Sequence, residues 1–145
     1  MELPYVDEHS VQIPATPQRT WEALLTAFDR SLGAAPWFAR LLGCQDTRPE
    51  GPRPLAPGSS LPGFHVAQAL APELLDLAGS HRYARYLLRF RLEPMGEGHT
   101  RLRAITRAEF PGLLGRIYRL LVISSRLHVL ATRRMLSMVK KRACA

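Results

Sequence analysis

The segments RYARYLLRFRLEP (residues 82–94) and TRLRAITRAEF (residues 100–110) alternate from side chain to side chain without a slip. That two-residue period belongs to a strand with one face buried, and no helix of 3.6 residues per turn can satisfy it. In the first segment Ala84, Tyr86, Leu88, Phe90 and Leu92 share one face, opposed to Arg85, Leu87, Arg89, Arg91 and Glu93. In the second, Leu102, Ala104, Thr106, Ala108 and Phe110 oppose Arg101, Arg103, Ile105, Arg107 and Glu109. MGEGH between them supplies two glycines for a short hairpin loop. A slip of one residue would turn every inward side chain outward. The register compatible with the loop pairs Glu93 with Arg101, Arg85 with Glu109, Tyr86 with Ala108 and Phe90 with Ala104. Arg91 then stands opposite Arg103, a mildly repulsive pair unless something screens it.

The elements around this hairpin follow from punctuation and period. Residues 5–13 alternate as a strand, with Tyr5, Val11 and Ile13 on one face. Thr16 reads as the N-cap of a helix, Pro17 as its first residue and Gly33 as its stop, with Trp21, Leu24, Leu25, Phe28 and Leu32 in one apolar stripe. A second short helix over 36–42 would turn Trp37, Phe38 and Leu41 inward. Residues 45–63, rich in proline and glycine, fit neither helix nor strand of normal length. Two strands, 64–71 and 74–79, flank a turn at Pro72 and Glu73.

After Pro111 and Gly112, the spacing predicts one long helix from Leu113 to about Arg142. At about 100° per residue, Arg119, Arg126, Arg133 and Lys140 make an outward basic stripe. Leu114, Ile117, Leu121, Ser124, Ser125, His128, Met135 and Val139 lie opposite. Val122, Ile123, Val129 and Leu130 sit near the basic stripe, an apolar group suited to a sheet edge, a second subunit or a lipid surface.

Composition narrows the function classes. At 145 residues the chain is read as one domain over 1–145, with enough length for a sizeable core. Its apolar runs are far shorter than the roughly 20 residues of a membrane span. An acidic N-terminus without an export signal leads us to expect a cytoplasmic protein. Cys44 and Cys144 stand alone, so no structural zinc, other metal, cofactor or disulfide framework is expected. Residues 1–81 carry five Arg against nine Asp and Glu, and residues 82–145 carry fifteen Arg and Lys against three. A basic half raises nucleic acid or acidic phospholipid as partners. Nucleic acid is disfavoured because the outward basic positions lack the aromatic residues used for base stacking. Peripheral membrane contact and a homodimer stay open.

The inward wall Tyr86, Leu88, Phe90, Thr106 and Phe110, facing Leu121, Ser124, Ser125, His128 and Met135 of the terminal helix, is the expected ligand site. Small residues alternate with large ones against a helix face that is partly polar, a pattern suited to a cavity more than to a solid core. His128 needs a hydrogen-bond partner when buried, and Ser124, Tyr86, Thr106, water or a ligand are its candidates. No GxSxG, HExxH, P-loop or dinucleotide fingerprint occurs.

VQIPATPQRTWEALL, LLDLAGSHRYARYLLRFRLEP, GHTRLRAITRAEF and SRLHVLATRRMLSMVKKRA together resemble the SRPBCC superfamily, which holds START-like lipid-transfer domains, polyketide cyclase/dehydrase-like proteins and pollen-allergen-like ligand binders. The resemblance implies an α+β helix-grip fold. A curved antiparallel sheet of five to seven strands would wrap a long C-terminal helix, with a small hydrophobic or amphipathic molecule (lipid, polyketide or isoprenoid-like) held between them. The Pro-rich loop would cover the mouth. Two alternatives remain: a cyclase or dehydratase using His128 as acid or base, and a module whose basic surface binds nucleic acid or acidic phospholipid.

Overall fold

The computed structural model describes residues 3–32, 41, 43–121 and 126–145. Strands β1 (Tyr5–Ile13), β2 (Ser60–Leu61), β3 (Phe64–Leu70), β4 (Leu74–His81), β5 (Ala84–Pro94) and β6 (Thr100–Glu109) form one antiparallel sheet in the order β1-β6-β5-β4-β3-β2. Helix α1 (Pro17–Leu32) follows β1, and α2 (Gly112–Arg119) and α3 (Leu127–Ala143) follow β6. This is the helix-grip arrangement, with six strands.

The β5–β6 register is the one expected, including Tyr86 on Ala108, Phe90 on Ala104 and Arg91 opposite Arg103. The repulsion is relieved because Arg103 turns to carboxylates, 2.9 and 3.0 Å from Glu8 and 2.8 Å from Glu93. Thr16 caps α1, accepting from the Arg19 backbone N–H at 3.2 Å. Trp21, Leu24, Leu25 and Phe28 are buried as the stripe requires. They close a core with Ile13, Leu75, Leu77, Phe90, Leu92, Leu102, Leu136 and Val139. Gly33 and the proposed 36–42 helix lie outside the described residues, except Leu41, which is 66% exposed instead of inward.

Three further expectations change. In β1 the register shifts between Tyr5 and Asp7, so that Tyr5 pairs with outward Arg107 while Asp7 pairs with inward Thr106. A bulge re-aims side chains in this way, and Tyr5 ends 57% exposed instead of sharing the face of Val11 and Ile13.

The Pro-rich segment is ordered rather than featureless. Ser60–Leu61 adds the edge strand β2, and Glu50 bridges to Ser60. Leu55 and Leu61 are buried in the core. Here side chains replace a regular ladder. Arg53 donates to the Glu50, Pro52 and Ser60 carbonyls at 3.0–3.1 Å and to Asp29 at 3.0 Å, and Ser59 Oγ donates to the Pro52 carbonyl at 2.6 Å. Gly51 permits the closure, because a Cβ there would stand 2.3 Å from the Gly58 carbonyl oxygen.

The terminal helix is interrupted. Arg126 precedes α3 in the left-handed conformation (φ 65°). A helix running straight through would carry one angular phase from Leu114 to Val139, and a residue out of helical conformation resets it. Consequently α3 buries Thr132, Leu136, Val139 and Ala143, whereas Leu114, Ile117 and Leu121, expected inward, are 65%, 46% and 62% exposed.

Candidate functional site

The sheet register lays a row of inward residues across the strands. Asp7 pairs with Thr106, Thr106 with Leu88, Leu88 with Leu77, and Leu77 with Val66. The row is polar at its β1–β6 end and apolar beyond. His128, in the first turn of α3, reaches the polar end, with Nε2 3.1 Å from both Asp7 Oδ1 and Thr106 Oγ1. The other Asp7 oxygen lies 3.2 Å from His9 Nε2. His128 and Asp7 side chains keep 19% and 23% of their exposure, so the node is half-buried and reachable. A carboxylate against an imidazole orients the ring, and the node presents donors and acceptors to a polar ligand atom.

Beside the node, Tyr86 and Leu88 keep partial solvent access although β5 is interior to the sheet. The same strand is sealed further on, where Phe90 is 1% exposed and meets Phe28 of α1 edge-on at 5.2 Å. Thus α1 seals β5 at Phe90, while Tyr86 and Leu88 keep partial access and Ala84, at the start of the strand, is buried again. Of the expected site residues, Thr106 and His128 are joined directly, with Leu88 in the same row. Phe90 belongs to the sealed core. Met135 is half-buried, its sulfur 4.0 Å from Ser31 Oγ on α1. Leu121 is exposed, and Ser124 and Ser125 lie outside the described residues.

Phe110 joins a second cluster that the sequence did not suggest. Its ring is 6.2 Å from Tyr118 of α2, with the Arg119 guanidinium 5.7 Å from the ring centre. Tyr118 stacks on Tyr83 at 5.6 Å and meets His81 at 4.7 Å, and His81 reaches Tyr86 at 5.6 Å. The Tyr86 hydroxyl donates to the Gly63 carbonyl. Tyr86 swings over Gly79, where a Cβ would lie 2.6 Å from its ring. Burial pushes the Tyr86 and Tyr118 phenols and the Cys44 thiol up, so all three stay protonated at neutral pH. The available signal was Gly115 three residues before Tyr118, a glycine inside a helix that marks a close approach.

His81 is held neutral. Burial lowers its pKa, and Nδ1 accepts the Tyr83 backbone N–H at 3.1 Å, which a protonated ring could not do. Below about pH 6.5 the unfolded chain takes up a proton that the folded chain resists, so this contribution to stability is present at neutral pH and lost on acidification. In denaturant titrations between about pH 7.5 and 5, the wild type is expected to lose stability relative to His81→Gln. Parallel curves for the two proteins would refute a neutral His81.

Among the described residues no three His, Cys, Asp or Glu side chains are grouped to hold a metal ion, and no helix is long and apolar enough to cross a membrane. No protein-family model matches the chain, and no curated protein matches its sequence. Solved structures do match its fold. The Zhui aromatase/cyclase from Streptomyces sp. R1128 superposes with a TM-score of 0.56 at 13% identity, over 94% of this chain and 92% of its own. Ara h 8.0201 gives 0.56 at 9% identity over 95% and 96%. TTHA0849 from Thermus thermophilus gives 0.54 at 19% identity over 97% of both chains. At these identities the likeness establishes the fold.

Proposed function

We propose that this helix-grip chain binds a small amphipathic molecule on the open half of its concave sheet. The apolar body lies over Leu88 and Tyr86, with Phe110 and Met135 at its borders. The polar group is read by His128 and Thr106, oriented by Asp7. The observation that carries this reading is the contrast along β5, where Leu88 and Tyr86 stay accessible beside a polar node while Phe90 is sealed. Apolar area supplies most of the affinity of such a site, and a few polar groups set the orientation. That a protein of the same fold is an aromatase/cyclase supports a concave face able to take an organic molecule. Lipid, polyketide and isoprenoid classes all fit the chemistry.

Thermal-shift titration with members of these classes tests the proposal. A true ligand at about a hundred times its Kd adds about 2.7 kcal/mol of stability. Leu88→Trp, which fills the floor, is expected to remove the shift, and His128→Gln to weaken binding about fivefold to tenfold, the worth of one hydrogen bond. No saturable shift with any class would overturn the reading. The Asp7–His128 pair favours one second reading, in which His128 transfers a proton to or from a bound carbonyl compound. Conversion of a ligand found by titration, lost in His128→Gln, separates enzyme from carrier.

A further inference from the structure

Helix α2 turns the wrong face outward for an ordinary surface helix. Its inner side is set by Gly115, where an added Cβ would meet the Phe110 carbonyl carbon at 2.6 Å and the Tyr83 carbonyl oxygen at 3.1 Å. Tyr118, three residues on, packs against Tyr83 and His81 on that same side. With this rotation fixed, Leu113, Leu114, Ile117 and Leu120 fall within about 120° of one another on the far side, and they are 74%, 65%, 46% and 63% exposed. Leu127 and Leu130 of α3 add further exposed apolar area, at 59% and 66%. Four large aliphatic side chains in one outward stripe form a contiguous patch, which marks an interaction surface.

The charge around the stripe identifies the occupant. Arg116 and Arg119 flank it on α2, and Arg126 begins the next helix, exposed. Residues 110–145 hold eight Arg and Lys and no Asp or Glu. A second copy docking through this face would bring two such cationic sets together with no carboxylate in either to pair them. A surface of anionic headgroups over hydrocarbon satisfies both parts at once, taking the leucines into the acyl boundary and the arginines among the phosphates. The geometry points to α2 as a docking helix that seats this protein on an anionic lipid bilayer. The inference is independent of the ligand reading, because vesicles without added ligand test it alone.

The full-length protein is mixed with vesicles of phosphatidylcholine containing about one-third phosphatidylserine, or of phosphatidylcholine alone, and sedimented. Binding is expected to the anionic vesicles, to weaken with salt, and to fall at least tenfold in Leu114→Ser/Ile117→Ser and severalfold in Arg116→Glu. These side chains are exposed, and an unchanged melting curve for each variant confirms that it folds. Three results would overturn the proposal: wild-type protein left in the supernatant with anionic vesicles, equal binding by the serine variant, or a concentration-dependent dimer that the serine variant abolishes, which would assign the face to a second copy.

Discussion

Phe90→Ala is expected to lower the unfolding free energy by about 3–5 kcal/mol. The ring is 1% exposed, stands edge-on to Phe28 at 5.2 Å, and faces Ala104 across the β5–β6 ladder. Two of its neighbours are poorly placed to replace it. Ala104 has no reach, and Phe28 is held on its other side by Phe64 at 6.4 Å. The vacated volume therefore persists as a cavity whose walls lose their dispersion contacts. Urea denaturation should show the loss at an unchanged slope, since the surface exposed on unfolding barely alters. A cost below about 1 kcal/mol would mean that this half of the sheet is not sealed, and the contrast with Leu88 on which the ligand site depends would fail with it.

Asp76→Ala is expected to cost about 3 kcal/mol. Asp76 receives two hydrogen bonds from Arg89, at 2.8 and 2.9 Å, and its side chain is only 6% exposed. Removing the carboxylate takes both bonds from a guanidinium that keeps 24% exposure, and that residual access keeps the cost at the lower end for a buried pair. Arg85–Glu109 provides the internal contrast. It is a single 3.4 Å contact with exposures of 69% and 37%, and Glu109→Ala should cost at most about 1 kcal/mol. Replacing both Asp76 and Arg89 by leucine and methionine should recover much of the loss, because the desolvation of both charges is then relieved. Equal costs for Asp76→Ala and Glu109→Ala would refute the assignment.

The candidate site was legible only in part. Alternation put Tyr86, Leu88 and Thr106 on one face of β5 and β6 in the register observed, because alternation is a local property and the hairpin loop fixes the register. His128 was legible as a residue facing inward, and Thr106 stood among its candidate partners. Asp7 was not among them, since it is 121 residues away and a bulge in β1 decides that it meets the row. The His81–Tyr83–Tyr118 cluster was hidden for a related reason. Each member follows its own local pattern, and only the docking of α2 through Gly115 brings the rings together.

What the chain's order of residues determined by itself is whatever depends on neighbours along the backbone: strands β1 and β3 to β6, the ladder from Glu93–Arg101 to Arg85–Glu109, the capped start of α1 and its apolar stripe. Helix phase beyond Arg126, the burial of Leu55 and Leu61, and the outward turn of the α2 leucines were decided by tertiary contacts. Periodicity specifies which residues share a face. It does not specify which face of α2 or α3 meets the core, and that choice rests with the backbone contacts beneath Gly115 and the polar partners of His128.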